Sequence, residues 1–325
     1  MRRRDFIAGV GGAAAAWPLA ARAQQPAVPT IGYLSGVTEG TANKFTAAFR
    51  QGLSEQGYTE GRNVEIVYRS AEGQLDRLPG MVADLVRRRV SVIVATTGAA
   101  QVAKAATTTI PIVFAVGADP VELGLVASLN RPGGNATGVS FLTVALTAKR
   151  IELLREVAPA ATSVGFLVNP TNPQAETETR EAENAARLLG LRLVTLNAST
   201  PNEIDTMLVN LAGQQIGALL VSADGLFMAQ RDRLVALVAR QAVPAIFYPR
   251  EIVEVGGLMS YGASIADAYR VTGTYAGRVL KGEKPADLPV QQSVRIELII
   301  NLKTAKELGV TFPLKLLGRA DEVIE

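Results

Sequence analysis

Two kinds of segment alternate along most of this chain, and each has its own pattern of apolar positions. Short runs rich in β-branched and apolar residues, such as Thr30–Leu34 and Ser163–Val168, predict buried strands. Longer runs such as Thr41–Gln56 place Phe45 and Phe49 at helical spacing, which predicts amphipathic helices. Strands that alternate with helices are typical of parallel sheets with helices on both faces. The pattern therefore predicts an α/β fold.

The endings of two strands recur at one fixed offset along the chain. Gly32–Ser35 returns as Gly165–Val168, and Pro111–Phe114 returns as Pro244–Phe247 at the same spacing. Two motifs in one register predict two similar lobes, each built on a doubly wound parallel sheet; the alternative is one continuous sheet. Two such lobes form a cleft between them, and small molecules bind in clefts.

A short fifth strand in each half predicts where the chain passes between the lobes. We expect crossings near Ser140, Ser260 and Pro285, which together form a three-segment hinge. Several parallel crossings limit the lobes to opening and closing about one axis. The predicted first lobe comprises residues 28–140 and 262–286, and the predicted second lobe comprises residues 141–261 and 287–325.

Residues 1–23 have the pattern of an export signal. A basic start at Arg2–Arg4 precedes the apolar stretch Phe6–Ala21, and Ala21-Arg22-Ala23 is a small-x-small cleavage site, so we expect cleavage after Ala23. The segment Arg3–Ile7 fits the twin-arginine pattern, and an ordinary Sec signal with an accidental arginine pair is the alternative. Either route predicts a periplasmic protein.

Removal of that signal leaves a chain without net charge. The full sequence has 33 basic and 30 acidic side chains, of which residues 1–23 hold four arginines and one aspartate, so the remainder has 29 of each. This balance argues against a nucleic-acid partner and against an anionic membrane surface.

The absence of cysteine and histidine excludes several kinds of chemistry. A Ser-His-Asp triad, a Cys-His pair and the usual zinc sites all need histidine or cysteine. A disulfide or a lipid anchor needs cysteine. We therefore predict no catalytic residue, no metal site and no cofactor, and we expect a soluble monomer. The enzyme alternative is a carboxylate pair, Asp119 and Asp224, facing each other across the cleft, but no activated nucleophile accompanies it.

Five motifs that stand in order along the chain resemble one known family. They are Glu60–Val64, Asp119–Val121, Ser128–Ser140, Gly256–Gly262 and Arg319–Glu325. The chain resembles the substrate-binding proteins of ABC transporters, in the tryptophan/tyrosine-transporter-like group, over essentially all of its mature length. The resemblance implies the type I periplasmic binding fold, a permease in the inner membrane as partner, and a small organic solute, with amino acids and aromatic compounds favoured. It leaves the identity of the solute open.

Ligands of open α/β sheets bind beyond the carboxyl ends of the strands, and this rule selects the candidate site residues. The candidates are Ser35, Thr96, Thr97, Gly98, Val116, Asp119, Asn169, Asp224, Tyr248, Glu251 and Tyr261.

The candidates of the first lobe offer hydroxyl groups and a helix N-terminus. Thr96, Thr97 and Gly98 precede a predicted helix and would suit a carboxylate, although Thr97 could simply cap that helix. Ser35 follows the same logic. Asp119-Pro120 predicts the start of a further helix, with Asp119 either capping it or touching ligand.

The candidates of the second lobe offer a carboxylate and flat aromatic faces. Asp224 either caps a helix or holds an ammonium group. Glu251 either holds an ammonium group or pairs with Arg250. Tyr248 and Tyr261, the latter near a crossing, either face an aromatic solute or pack in the core. Asn169 either contacts the solute or only begins a turn.

The predicted function is capture of a small solute between the lobes for an ABC importer. A periplasmic sensor that presents the same closed form to a receptor is the alternative. A DNA-binding regulator would need a helix-turn-helix at the N-terminus, where the export signal stands instead. Whether the protein serves an importer or a receptor, the ligand must bind the closed form better than the open form.

Overall fold

The structure, a computed structural model, describes residues 28–36, 39–96, 98–141, 143–209, 211–292 and 295–325. The predicted signal, residues 1–23, and the candidate Thr97 lie outside the described residues.

The first sheet is parallel throughout its described length. Its strands are β1 (Thr30–Ser35), β2 (Glu65–Ser70), β3 (Val92–Thr96), β4 (Ile112–Val116), β5 (Ala136–Ser140) and β11 (Gln291–Gln292). They lie in the order β11-β5-β4-β3-β1-β2. All the described strands except β2 and β11 are buried along almost their whole length, as expected for a sheet covered on both faces.

The second sheet repeats this arrangement and adds two strands at one edge. Its strands are β6 (Ser163–Val168), β7 (Arg192–Asn197), β8 (Ala218–Val221), β9 (Ala245–Phe247), β10 (Met259–Ala263), β12 (Ile296–Asn301) and β13 (Glu322–Ile324). The order is β13-β12-β10-β9-β8-β6-β7, in which β12 runs antiparallel to β10.

Twelve helices of the described chain cover the faces of the two sheets. They are α1 (Glu39–Glu55), α2 (Leu78–Arg87), α3 (Ala99–Ala106), α4 (Thr147–Val157), α5 (Ala175–Leu188), α6 (Pro201–Leu208), α7 (Gly225–Ala229), α8 (Arg231–Arg240), α9 (Arg250–Glu254), α10 (Ile265–Leu280), α11 (Leu302–Leu308) and α12 (Leu314–Leu317). Short 3-10 turns lie at Leu75–Arg77, Val144–Leu146 and Pro285–Asp287. Each sheet thereby has one apolar core on each of its faces.

The repeat seen in the sequence corresponds to equivalent strands of two lobes. β6 follows β1, and β9 follows β4, at the same offset along the chain as the repeated motifs. The first five strands of each lobe also share one spatial order, since β2-β1-β3-β4-β5 matches β7-β6-β8-β9-β10. The predicted two-lobed α/β fold is confirmed, and the alternative of one continuous sheet is wrong.

The second and third crossings lie later in the chain than the sequence indicated. β10 pairs with β9 and β12 as far as Ala263, so Ser260 and Tyr261 belong to the second sheet and not to a crossing. β11 pairs with β5 in the first sheet, so the third crossing follows Gln292 and does not lie near Pro285. Residues 287–292, predicted to belong to the second lobe, therefore complete the first.

Two glycines allow α10 to return to the first lobe and pack closely against α1. A Cβ atom on Gly52 would lie 1.7 Å from the Arg270 carbonyl oxygen, and one on Gly273 would lie 2.0 Å from the Phe49 carbonyl oxygen. Any larger residue at either position would push the two helix backbones apart. The pair α1 and α10 joins sequence-distant parts of the first lobe on one face of its sheet.

Candidate functional site

Side chains of the two lobes meet where the strands of both sheets end. Met228, on α7 of the second lobe, packs against core clusters of both lobes. The Thr143 hydroxyl, in the first crossing, donates to the carbonyl oxygen of Gly117 at the end of β4, at 2.6 Å. Across the same region, Lys44 Nζ on α1 lies 3.0 Å from the Glu254 carboxylate on α9. The lobes are thus in contact around the predicted cleft.

Asp224 lies at the centre of a polar cluster at the end of β8. Its Oδ1 accepts hydrogen bonds from the Leu226 amide at 2.8 Å and from Asn169 Nδ2 at 3.2 Å. Its Oδ2 accepts from Asn172 Nδ2 at 2.7 Å. The carboxylate therefore caps α7, as the sequence allowed, and two amide groups fix its orientation. Half-buried and held in this way, it is well placed to receive a cation, because carboxylate oxygens have further lone pairs.

Three candidates of the first lobe, Ser35, Thr96 and Gly98, form an uncharged edge. Ser35 and Thr96 pair with each other across β1 and β3 and are both buried. The Thr96 hydroxyl has no hydrogen-bond partner among the described residues. Gly98, which has no side chain, adopts a φ of 77° at the N-cap position of α3. This edge offers hydroxyl groups and main-chain N–H groups.

Val116 and Asp119, the other two candidates of the first lobe, differ in their exposure to solvent. Val116 is buried at the end of β4, where it pairs with Ser140. Asp119 is exposed, and its Oδ1 accepts a hydrogen bond from the Val121 amide at 2.7 Å. The helix predicted after Asp119 is wrong: the segment makes a single turn that ends at Gly124, which has a φ of 68°. Asp-Pro begins turns as readily as helices, which explains the error.

Tyr248 is buried, and both its hydroxyl group and one face of its ring contact other residues. Its hydroxyl donates to the Phe141 carbonyl oxygen at 2.9 Å, and the guanidinium carbon of Arg150 lies 5.5 Å from the ring centroid. Burial raises the pKa of this phenol well above its ordinary value. One face of the ring is therefore used within the protein. Tyr261 is half-buried in β10, where it pairs with Leu298.

Glu251 is a buried carboxylate that has Lys44 as its ion-pair partner. Its side chain is 8% exposed, neither oxygen has a hydrogen-bond partner among the described residues, and Lys44 Nζ lies 3.8 Å from Oε1. Burial raises the pKa of Glu251, and the Lys44 charge offsets only part of that effect. The alternative pairing with Arg250 is wrong, because that guanidinium bonds to Glu254, Glu297 and Glu322 instead.

Sequence reasoning missed a buried ion pair beneath the strand ends of the second lobe. Arg150, on α4, is fully buried, and its Nη2 lies 2.9 Å from Oε1 of Glu178 on α5. Burial raises the pKa of Glu178, with Arg150 opposing it. A signal was available, since Arg150 falls on the face of α4 that also carries Thr147, Ile151 and Leu154.

Aromatic side chains form an apolar wall on the first lobe. Phe45 and Phe141 both stack on Tyr269, with ring centroids 5.1 and 6.3 Å away and interplanar angles of 29° and 21°. Met228 of the second lobe packs against the same cluster. Such a wall suits an aromatic or other apolar group.

Other features of the described chain lie away from these strand ends. A cavity of about 370 Å³ opens at the edge of the first sheet beside β11, and no charged residue lines it. No cluster of histidine, cysteine, aspartate or glutamate in the described ranges is suited to hold a metal ion. Nor does any described helix have the length and apolar character needed to cross a bilayer.

Two α/β lobes of matching strand order, joined by three crossings and with polar strand ends between them, define a solute-binding protein of the type I periplasmic binding fold. The chain belongs to the ABC transporter substrate binding protein family, whose sequence model matches residues 33–324. The resemblance seen in the sequence is therefore confirmed.

Relatives of known ligand extend this comparison. The chain is similar to a tyrosine-binding protein of Clostridioides difficile, with 29% identity over 282 residues that cover 86% of this chain and 81% of that protein. Among solved structures, an ABC domain from Streptococcus pneumonia in complex with L-Trp is 30% identical and superposes with a TM-score of 0.84. A ligand-free, open substrate binding protein from Clostridium difficile is 27% identical with a TM-score of 0.69. Both structures cover 91% of this chain and are themselves covered to 99%.

The two TM-scores bear on the arrangement of the lobes. Identity and coverage are nearly equal for the two structures, yet the ligand-bound one superposes better. Contacts between the lobes, such as Met228 with both cores and Lys44 with Glu254, fit the same arrangement. The described structure is accordingly more similar to the L-Trp-bound structure than to the ligand-free, open one.

Proposed function

We propose that this protein captures an aromatic L-amino acid between its lobes and delivers it to an ABC permease. The observation that carries the proposal is the placement of charge. Asp224, oriented by two asparagine amides, is on the second lobe, and the residues that end β1, β3 and β4 on the first lobe are uncharged. A free amino acid has a matching distribution, with one cationic and one anionic group.

Each end of the amino acid has a complementary partner. The ammonium group would bind Asp224, because a charge-assisted hydrogen bond is stronger than a neutral one. The carboxylate would bind the first-lobe edge of Ser35, Thr96 and the N-terminus of α3, where hydroxyl groups, N–H groups and the helix dipole favour an anion.

The wall of Phe45, Phe141 and Tyr269, against which Met228 packs, supports an aromatic side chain on the solute. The ligands of these two relatives, tyrosine and L-Trp, support the same conclusion. We further propose export by the signal at residues 1–23, action in the periplasm as a monomer, and no turnover of the solute, since no activated nucleophile accompanies these groups.

Titration calorimetry on the mature protein tests the proposal. L-tyrosine, L-tryptophan and L-phenylalanine are compared with derivatives that lack one charge, an N-acetyl amino acid and an amino acid amide. A micromolar ligand corresponds to about −8 kcal/mol, and we expect each derivative to bind at least about tenfold more weakly. Binding of a sugar but of no amino acid, or steady conversion of the ligand, would contradict the proposal.

The protein also permits an optical version of this test. Trp17 is the only tryptophan and lies within the predicted signal, so the mature protein would contain none. L-tryptophan can then be excited selectively, and its emission follows its transfer from water to the cleft.

A further inference from the structure

The buried ion pair of Arg150 and Glu178 is unlike the other ion pairs of the described chain. Its two side chains are 0% and 4% exposed, whereas every other pair has at least one partner that is more than one fifth exposed. Arg150 Nε also has no hydrogen-bond partner among the described residues. Desolvation of two charges offsets much of their attraction, so such a pair contributes little net stability compared with apolar residues of similar size. Its presence therefore requires a reason other than stability.

The guanidinium of Arg150 connects the first crossing to two parts of the second lobe. Nη2 donates to the Thr143 carbonyl oxygen in the first crossing, at 3.0 Å, and Nη1 donates to the Val221 carbonyl oxygen at the end of β8, at 3.4 Å. The same group lies over the ring of Tyr248, just beyond β9. Glu178 and Thr147 accept from Nη2 and hold the guanidinium in place.

The first crossing is in turn bonded to the first lobe. Besides receiving the Arg150 hydrogen bond, Thr143 donates through its hydroxyl to Gly117 at the end of β4. Two residues earlier, the Phe141 carbonyl oxygen accepts from the Tyr248 hydroxyl, and the Phe141 ring stacks on Tyr269 of α10. A change in how the second lobe holds this crossing would thus alter the relative orientation of the lobes.

We propose that Arg150, oriented by Glu178, is a positioning residue that holds the first crossing against the ligand-facing strand ends of the second lobe. It thereby sets the equilibrium between open and closed lobes. A planar guanidinium is needed because it donates in several fixed directions at once and stacks on a ring, which an ammonium group cannot do. The inference rests on the proposed function, in which closure serves solute capture.

The test measures the distance between the lobes without any solute. Because the chain has no native cysteine, Gln101→Cys on α3 and Ala236→Cys on α8, both exposed, carry one spin label on each lobe. In an otherwise unchanged protein we expect one dominant distance. Arg150→Lys keeps the charge that Glu178 needs but removes the planar guanidinium with its several donors. We expect its distance distribution to broaden at least twofold.

A control separates this effect from loss of stability alone. Leu208 is buried on α6, a helix that packs against β7 and α8, and Leu208→Ala lowers stability without touching the crossing. Its distance distribution should match that of the unchanged protein. If Arg150→Lys unfolds at a lower temperature but gives the same distance distribution as Leu208→Ala, Arg150 has only a structural role and the proposal is wrong.

A second variant decides the matter if Arg150→Lys does not fold. Thr143→Val keeps the volume of the side chain and leaves the ion pair intact. It removes the hydrogen bond that the hydroxyl donates to Gly117 and the longer one that it accepts from Gln174 Nε2. The proposal requires the same broadening, and an unchanged distribution overturns it. With L-tryptophan as the probe, both variants should bind about tenfold more weakly. If the unchanged protein binds no amino acid, the proposed function fails, while the distance measurement still decides the role of Arg150.

Discussion

In the proposed site, single residues supply the charge that would meet the ligand, and Asp224 is the clearest case. It caps α7 and accepts from two asparagine side chains, so its orientation is fixed before any ligand arrives. Pre-orientation of this kind lowers the entropy lost on binding.

Replacing Asp224 with asparagine tests its role directly. Asparagine caps helices about as well as aspartate, so Asp224→Asn should fold normally. We expect the affinity for an aromatic amino acid to fall ten- to hundredfold, since a hydrogen bond to a charged group contributes about 1.5–3 kcal/mol. Asp119→Asn, in the exposed turn, is the matched control and should change the calorimetric affinity less than about twofold. Equal effects of the two variants would remove Asp224 from the site.

Glu251 leads to a prediction about stability and pH. Because burial raises the pKa of Glu251, the folded protein retains a proton over a pH range in which the unfolded chain has lost it. Stability therefore falls as pH rises through that range. Glu251→Met removes the buried carboxylate, and we expect it to raise the free energy of unfolding at pH 7 by about 1–3 kcal/mol, with a smaller gain at pH 4.

Urea unfolding at the two pH values checks this expectation. Glu254→Met, three residues later, is the control with the opposite sign. Although burial opposes ionisation there, Lys44 and Arg250 lower the pKa of Glu254, so its loss should destabilise the protein at pH 7. A destabilised Glu251→Met at pH 7 would show that its carboxylate makes a favourable contact in solution.

Whole elements show how far the sequence predicts this fold and where it does not. The strand Ser163–Val168 is predicted to the residue, because a continuous apolar run bounded by polar residues marks a buried strand. β11 was missed because its two glutamines carry no apolar pattern, and its pairing with β5 depends on main-chain groups alone.

The candidate site likewise contains residues that the sequence predicts and residues that it does not. Asn169 and Asp224 were chosen by their position after strands, and the fold brings them together. Arg150 was missed because its importance depends on Glu178 and Tyr248, which are distant in sequence and adjacent only in space. The alternation and spacing of apolar residues predict strands and their ends. Side chains that meet from different elements can be identified only once the fold is known.

The contact between α1 and α10 is an element-scale prediction. Gly52→Ala places a methyl group within 1.7 Å of a carbonyl oxygen, so the helices must separate, and we expect a loss of about 1–3 kcal/mol. Gly80→Ala, on α2 with open space around it, is the control and should raise stability by about 0.5–1 kcal/mol. Thermal unfolding distinguishes them, and a stabilised Gly52→Ala would contradict the close helix contact.

At the scale of the whole molecule, the two lobes are also joined by charge. Lys44 on the first lobe approaches both Glu254 and Glu251 on the second, and its side chain is half exposed. Exposed ion pairs contribute only about 0–1 kcal/mol and are screened by salt. This contact is therefore expected to adjust lobe closure only slightly.

Lys44→Ala measures that adjustment. We expect the affinity for the amino acid to fall no more than about fivefold at low ionic strength and to approach that of the unchanged protein at high salt. Lys149→Ala, whose pair with Glu152 lies within one helix, is the control and should leave the affinity unchanged at both salt concentrations. A salt dependence of affinity that Lys44→Ala leaves intact would exclude this pair from closure.

The return of α10 to the first lobe also has a consequence for biosynthesis. Gly52 and Gly273, which bring α1 and α10 together, are separated by most of the sequence, including the whole main body of the second lobe. At about 5–20 residues per second, a ribosome needs about 10 to 45 seconds to add the second partner after the first. During that interval the apolar face of α1 has no helix to cover it, so the nascent chain exposes a surface that chaperones bind. The lobe made first is thus among the last parts of the protein to be completed.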